Sequence, residues 1–214
     1  MASFGYVVAA ADPPDAAIVS YPDGRYIYTH FSDAVGRGLD ARLLRSRVRD
    51  CEVTLDALAR WNAEDGLFAG RLNTEAAAAM GWSLGGGTAV EWCRVDSRVV
   101  AAIALDGAFL DLAPLRASGM SKPVLAMNRP GNTSLDLFGA LKGDAIFFEI
   151  RNTVHESFSA YYWDLDSNPG DRGREAARTV VDHAVWFLDR SLKEKSDPFP
   201  SAADYRLVTN LRRK

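Results

Sequence analysis

The sequence predicts an α/β fold in three layers, with helices on both faces of a mostly parallel sheet. Three observations predict it. Short apolar runs alternate with longer stretches in which apolar residues recur every three or four positions. A glycine-rich turn joins one such run to one such stretch, as in a strand-turn-helix unit. The 214 residues, 48% hydrophobic and 25% charged, match one folded globular domain.

Five short apolar runs are predicted to be strands. They are Tyr6 to Ala10, Ala76 to Met80, Val99 to Leu105, Pro123 to Met127 and Ala145 to Ile150. The second run is rich in alanine, which prefers helix by intrinsic propensity. We predict a strand there because the run is short and the glycine-rich turn follows it.

Periodic stretches predict the helices. An apolar stripe begins at Val48 and ends near Asn62, with spacings of three and four residues. Further helices are predicted over Thr88 to Arg94 and over Glu175 to Leu192, the second being strongly amphipathic. The charged, proline-containing stretch Lys193 to Pro200 then predicts a break before a short C-terminal tail, so that the tail region covers residues 193–214.

Two long connections separate these elements. Asp12 to Arg45 contains Pro13-Pro14 and Asp23-Gly24 but no sustained period, and loops of this length are usually functional or mobile. Gly107 to Lys122 is rich in apolar residues, among them Phe109. It has two interpretations, a short helix that packs on the core or a wall of an acyl pocket.

Charge and composition exclude several classes of protein. The net charge is −3 and no basic block precedes Leu211 to Lys214, which argues against a nucleic acid partner. The longest apolar run, Val99 to Leu105, is far shorter than the roughly 20 residues that span a bilayer. The first residues have no pattern of a secretory signal. Cys51 and Cys93 are too few for a disulfide scaffold or a zinc site and are predicted to be buried free thiols.

The glycine-rich turn carries the strongest chemical signal. Gly81-Trp82-Ser83-Leu84-Gly85 is a G-x-S-x-G pentapeptide between a predicted strand and a predicted helix. Small residues two before and two after the serine allow a sharp turn that presents its hydroxyl at the carboxyl edge of the sheet. The helix N-terminus and the Leu84 N–H then face a developing oxyanion. The pattern predicts a nucleophilic serine on an α/β-hydrolase fold, rather than a mere glycine-rich turn.

A serine nucleophile needs a base, and the chain contains His30, His155 and His183. His183 lies within a predicted helix and is predicted to be a partly exposed surface residue. His30 lies in the long irregular connection. His155 follows the last predicted parallel strand by five residues, at the same sheet edge as Ser83, and is predicted to be the base.

Two aspartates are candidates for the carboxylate that orients the base. Asp106 directly follows the strand Val99 to Leu105, and Gly107 leaves room beside it. Asp136 follows the next strand, at least eight residues into a loop. We prefer Asp106 because it emerges at the strand end, and the chain order Ser, Asp, His holds for either residue.

Three blocks of the sequence resemble a known family. Gly81-Trp82-Ser83-Leu84-Gly85-Gly86, Ala104-Leu105-Asp106 and the segment from Arg151 to Phe158 resemble the signature blocks of the plasma-type (type II) platelet-activating factor acetylhydrolase family. The similarity runs from about Gly5 to about Tyr161. It implies that Asp106 is the acid and that the substrate is a short or oxidised acyl ester, including the sn-2 ester of a phospholipid.

The chain also departs from that family. Its members begin with further strands and have a His-Gly turn that supplies a second oxyanion N–H. This chain contains no His-Gly dipeptide, and Gly5 to Ala10 resembles the family's fourth strand. It therefore resembles an α/β-hydrolase that lacks its N-terminal strands. We expect weak turnover from this, and an unpaired edge at Tyr6 to Ala10 that invites association with another chain.

The sequence thus predicts a single α/β-hydrolase domain over residues 1–214 that cleaves carboxylic esters. Ser83 is the predicted nucleophile, His155 the base, Asp106 the orienting acid and Leu84 the oxyanion donor. No metal or organic cofactor is implied. The predicted partner is a small-molecule or lipid ester. A general carboxylesterase or dienelactone-hydrolase-like enzyme, and a triad-bearing binding module without turnover, are the alternatives.

Aromatic residues are predicted to line the substrate pocket. The candidates are Trp82, Phe109 and Phe158. Phe158 also belongs to an aromatic cluster with Tyr161, Tyr162 and Trp163. That cluster has two interpretations, peripheral contact with a lipid surface or packing in the core.

Overall fold

The computed structural model describes residues 1–13, 17–29, 41–64, 66–109, 112–132, 135–159, 170–200 and 204–214. A small antiparallel hairpin consists of β1 (Ala17–Ser20) and β2 (Tyr26–Thr29). Within these ranges, the main sheet has five strands in the order β3-β4-β5-β6-β7. These are β3 (Ala77–Trp82), β4 (Val99–Leu105), β5 (Val124–Asn128), β6 (Ala145–Ile150) and β7 (Val208–Arg213). The first four run parallel, and β7 is antiparallel to β6.

Five α-helices accompany the strands in the described part of the chain. They are α1 (Ala41–Glu64), α2 (Leu84–Val95), α3 (Ala113–Ser118), α4 (Leu135–Ala140) and α5 (Gly170–Lys193). Short 3-10 helices cover Ala2–Phe4 and His155–Phe158. Within the described ranges, every helix is too short or too polar to span a membrane.

The two faces of the sheet bury separate cores. Along β4, Ala102 and Ala104 belong to one core, whereas Ala101, Ile103 and Leu105 belong to the other. Helices α1 to α4 contribute side chains to the first core and α5 contributes to the second. Because successive strand residues point to opposite faces, a strand covered on both sides is apolar throughout. This is the three-layer arrangement that the sequence predicts.

Four of the five predicted strands are present. The bounds of β4 and β6 agree with the prediction, and β5 begins one residue later than predicted. The alanine-rich run forms β3 in spite of its helical propensity, because Ala77 to Trp82 pair with Val99 to Leu105. Burial between two layers therefore outweighs intrinsic preference at this strand.

The predicted strand over Tyr6 to Ala10 is wrong. Its residues make no backbone hydrogen bond to any other described residue, and Val7 and Val8 are 64% and 57% exposed. Tyr6 instead donates its hydroxyl to Asp189 Oδ1 on α5, at 2.5 Å. A strand requires a neighbouring strand, and this apolar run is held by the Tyr6 side chain rather than by backbone hydrogen bonds to another strand. In the described structure the sheet therefore begins at β3.

The hairpin β1–β2 lies inside the connection that the sequence analysis leaves irregular. Tyr21 N–H donates to the Arg25 carbonyl at 2.8 Å and closes the turn, and Gly24 has a φ of 85°. The Asp23-Gly24 pair is the local signal for such a turn. The second long connection contains α3, whose Leu115 is buried in the first core, in agreement with the core-packing interpretation.

The predicted C-terminal tail is only partly correct. Helix α5 ends at Lys193 and an irregular stretch follows, as the proline and charge pattern predicts. Val208–Arg213, however, joins the main sheet as β7, with Val208 opposite Ile150 and Arg213 opposite Ile146. The strand is polar because it lies at the sheet edge, and its pattern alone does not distinguish it from a tail.

The three predicted helices are present with extended ends. The apolar stripe from Val48 belongs to α1, which continues to Glu64, and α2 begins at Leu84, four residues before the predicted Thr88. Cys93 on α2 is buried as predicted. Cys51 on α1 is only half-buried, so its predicted burial is wrong.

The predicted surface position of His183 is wrong. Its side chain on α5 is fully buried among the rings of Phe148, Phe199 and Tyr205, with centroids 4.8, 5.2 and 4.7 Å away. Its Nδ1–H donates to the Thr179 carbonyl at 2.8 Å. Burial lowers the pKa of His183, because desolvation disfavours the charged imidazolium.

This burial predicts a pH-dependent stability. The unfolded chain gains a proton on His183 near the ordinary pKa of about 6.5, whereas the folded chain resists it. The free energy of unfolding should therefore decrease as the pH falls below about 6.5, by at most about 1.4 kcal/mol per pH unit from this group. The free energy of unfolding, measured by urea unfolding between pH 7.5 and 5, should depend less steeply on pH for His183→Leu than for the wild type. Equal slopes would contradict the prediction.

Candidate active site

The carboxyl ends of the parallel strands meet at one edge of the sheet. Trp82 of β3 lies opposite Leu105 of β4, and Leu105 lies opposite Met127 of β5. The residues that directly follow these strands are therefore neighbours in space. Ser83 and Asp106 are two of them, which explains how residues far apart in the chain reach one site.

Ser83 is the only residue between β3 and α2, and its backbone is strained. Its φ and ψ are 56° and −124°, a region that non-glycine residues rarely adopt. The surrounding backbone holds it there. Ser83 N–H donates to the Leu105 carbonyl at 3.0 Å, and the Ser83 carbonyl accepts from the N–H groups of Gly86 and Ala108, at 2.9 and 2.8 Å.

The glycines around Ser83 have different functions in packing. A Cβ on Gly81 would lie 2.2 Å from the Gly85 carbonyl oxygen, so this position requires glycine. A Cβ on Gly85 would have no heavy atom within 4 Å. Gly87 requires glycine because a Cβ there would lie 2.3 Å from the Ala108 oxygen, and a Cβ on Gly86 would lie 3.0 Å from Gly107 Cα. These last two glycines let α2 approach the loop that follows Asp106.

This difference predicts unequal effects of two similar substitutions. Gly81→Ala is expected to destabilise the fold by at least about 3 kcal/mol, because the new methyl group collides with rigid backbone. Gly85→Ala should change stability by less than about 1 kcal/mol, since alanine is the better helix former and has space. Urea unfolding of both variants tests this. Similar midpoints for the two variants would contradict the packing described here.

The structure brings Ser83, His155 and Asp106 together. Ser83 Oγ is 2.9 Å from His155 Nε2, and His155 Nδ1 is 2.5 Å from Asp106 Oδ2. The Asp106 side chain is fully buried, whereas the His155 side chain is 35% exposed. The three side chains form one continuous hydrogen-bonded chain from a half-buried hydroxyl to a buried carboxylate.

Trp82 contacts the histidine directly. Its indole Nε1–H donates to the His155 carbonyl at 2.8 Å, and the two rings are tilted at 37° with centroids 4.8 Å apart. The residue before Ser83 therefore holds the backbone of His155 and packs beside its imidazole. The sequence predicts Trp82 only as a residue of the substrate pocket, without a contact to the base.

The other predicted pocket residues occupy different environments. Phe109 is half-buried and packs against the first core. Phe158 is buried in the second core, on the side of α5, which agrees with core packing for this member of the aromatic cluster. Tyr161, Tyr162 and Trp163 lie outside the described residues, as does His30.

Asp106 has partners that the sequence analysis does not anticipate. Its Oδ1 accepts from the Arg129 backbone N–H at 3.1 Å and from Asn132 Nδ2 at 2.5 Å. Its Oδ2 is also 3.2 Å from Arg129 Nε. These donors lie in the loop after β5, which the sequence analysis considers only as a source of the alternative acid. Asp136 itself is exposed on α4.

Leu84 occupies the first position of α2. The first N–H groups of a helix have no acceptor within the helix, so the Leu84 N–H is not used by the α2 ladder. The helix spans 12 residues, and the partial positive charge of its N-terminus adjoins Ser83.

Comparisons with known proteins identify the fold. No family model and no curated protein matches the chain. The solved ferulic acid esterase from Streptomyces cinnamoneus matches it with a TM-score of 0.66 and 26% sequence identity. The fold is that of the α/β-hydrolases. The match covers 90% of this chain and 62% of the esterase, so the chain spans less than two thirds of that protein's length. The resemblance to the platelet-activating factor acetylhydrolases is not confirmed by these comparisons.

Proposed function

We propose that this protein is a serine carboxylic ester hydrolase that acts on small-molecule esters. One observation carries the proposal, namely the continuous chain Ser83 Oγ, His155 imidazole and Asp106 carboxylate, with distances of 2.9 and 2.5 Å. A base within hydrogen-bond distance of a serine, itself oriented by a carboxylate, is the arrangement that activates a hydroxyl as a nucleophile.

The reaction follows from the roles of the three side chains. Ser83 Oγ attacks the ester carbonyl carbon while His155 Nε2 takes the hydroxyl proton. Asp106 keeps the imidazole in the Nδ1–H tautomer and stabilises the imidazolium. The tetrahedral intermediate collapses, the bond to the alcohol oxygen breaks, and His155 returns the proton to that oxygen. Water then attacks the acyl-enzyme with His155 again as base, which releases the acid and restores Ser83.

Leu84 completes the proposed machinery as an oxyanion donor. The negative charge that develops on the carbonyl oxygen requires N–H groups aimed at it. The Leu84 N–H lies next to Ser83 and is not used by the α2 ladder, and the helix N-terminus favours negative charge. Both features support stabilisation of the oxyanion at this point.

Two lines of reasoning bear on the substrate. The ferulic acid esterase supports a small-molecule ester as the substrate class. The three sequence blocks around Ser83, Asp106 and His155 favour a finer candidate, a short or oxidised sn-2 acyl ester of a phospholipid. A soluble ester and an aggregated phospholipid differ in physical state, so kinetics can separate them.

The experiment combines active-site labelling with a substrate panel. An organophosphonate probe followed by digestion and mass mapping should label Ser83 and no other serine. Hydrolysis of 4-nitrophenyl acetate, methyl ferulate and a 2-acetyl phospholipid should then be measured, the last below and above its aggregation concentration. Activity that increases on aggregation would support the phospholipid, and activity on methyl ferulate would support a general esterase. A folded protein with no label and no acyl-enzyme burst would contradict the proposal and favour a binding module.

A further inference from the structure

The carboxylate of Asp106 has more donors than a catalytic triad requires. In addition to His155 Nδ1, it faces the Arg129 backbone N–H, Arg129 Nε and Asn132 Nδ2. Two of these donors meet Oδ1 and two meet Oδ2. Since a carboxylate has about four acceptor sites, these contacts fill it. The buried group is therefore held against rotation by the loop after β5.

That loop is itself anchored to the sheet. Gly131 N–H donates to Glu149 Oε1 at 3.2 Å, and Glu149 Oε2 accepts from Asn210 Nδ2 at 2.6 Å. Glu149 is buried on β6. A hydrogen-bonded path thus runs from β7 through β6 and the loop to Asp106. This support indicates that Arg129 and Asn132 are held in place.

From these contacts we infer that Arg129 and Asn132 are positioning residues for the reaction proposed above. Asn132 fixes the rotation of the carboxylate so that Oδ2 points at His155 Nδ1. Arg129 holds both oxygens of the carboxylate, because its backbone N–H donates to Oδ1 at 3.1 Å and its Nε lies 3.2 Å from Oδ2. The inference rests on the proposed function. The loop after β5 thus supports Asp106, which directly follows β4.

Four variants separate these roles. Arg129→Gln removes the positive charge, and Arg129→Lys keeps the charge but lacks the planar guanidinium group. Asn132→Ala removes the side-chain amide that donates to Asp106. Arg116→Gln is the matched control, because Arg116 is exposed on α3. For each variant, the rate at which an organophosphonate modifies Ser83 is measured from pH 5 to pH 9. The downfield proton resonance of His155 Nδ1–H is recorded by NMR as a readout that needs no turnover.

The expected results are distinct. Asn132→Ala should slow labelling about tenfold at every pH and move the proton resonance upfield, because a charge-assisted hydrogen bond is lost. Arg129→Gln should also slow labelling and move the proton resonance upfield, Arg129→Lys should retain part of the wild-type rate, and Arg116→Gln should match the wild type. Unchanged labelling rates and an unchanged proton resonance in the Arg129 and Asn132 variants would overturn the inference. A wild type that neither labels nor hydrolyses esters would instead refute the proposed function, while the proton resonance would still test the positioning.

Discussion

Ser83→Ala is expected to lower kcat for ester hydrolysis by roughly 10⁵ to 10⁶ and to abolish organophosphonate labelling. The loss is large because the covalent route disappears with the hydroxyl, leaving only binding and oxyanion stabilisation. The measurement is steady-state hydrolysis of 4-nitrophenyl acetate, together with mass mapping of the labelled protein. Stability should change little, since the methyl group of alanine occupies space that the serine already fills.

Ser118→Ala provides the matched control for this substitution. Ser118 is exposed at the end of α3, and its hydroxyl donates to the Pro114 carbonyl at 2.8 Å. Its removal should leave both kcat and labelling at the wild-type level. Turnover that persists in Ser83→Ala would show that another group performs the chemistry, and the proposed function would then be wrong.

Asp106→Asn should lower kcat by roughly 10⁴. An amide at this position can donate to His155 Nδ1, which favours the imidazole tautomer that cannot accept the Ser83 proton. The fold should persist, because the asparagine side chain has nearly the same shape. Hydrolysis kinetics and urea unfolding, measured on the same protein, separate the catalytic loss from instability.

Asp136→Asn is the comparison that tests the choice of acid. Asp136 is exposed on α4, so its substitution should leave kcat within about twofold of the wild type. The opposite ranking of the two variants would make Asp136 on α4 the orienting acid. Equal large losses would indicate that both carboxylates belong to one network and would contradict the contacts described above.

Backbone strain coincides with the proposed site. Ser83 and Asp106, which directly follow neighbouring strands, have φ values of 56° and 43°. Such conformations cost roughly 1 to 3 kcal/mol each in non-glycine residues, and they persist where the surroundings determine them. Here Ser83 N–H donates to the Leu105 carbonyl and Asp106 N–H donates to the Met127 carbonyl, at 3.0 and 2.7 Å. The ends of the buried strands thus hold both side chains in position.

Several features of the protein could be predicted from local chemistry. The apolar runs predict β4 and β6, because a strand buried on both faces is mostly apolar; Glu149 is the one charged residue of β6. The G-x-S-x-G pattern predicts a turn at Ser83, and glycine at position 81 permits the close approach of the Gly85 backbone. The structure also places His155 beside Ser83, since a residue shortly after a parallel strand must lie at the sheet's carboxyl edge. The strands and the turn depend on residues close together in the chain, whereas the approach of His155 to Ser83 also requires β3 and β6 to run parallel in one sheet.

Other features depend on contacts between distant residues, and only the tertiary structure decided them. Tyr6 to Ala10 has the composition of a strand but lacks a partner, whereas the polar β7 has one in β6. The residues next to His183 in the sequence predict only that it lies on a helix, because the aromatic rings that bury it come from other parts of the chain. The donors that Arg129 and Asn132 offer to Asp106 arise because β4 and β5 are neighbours in register. Pairing, burial and hydrogen bonding between elements are properties of the assembled chain, so periodicity and motifs do not encode them locally.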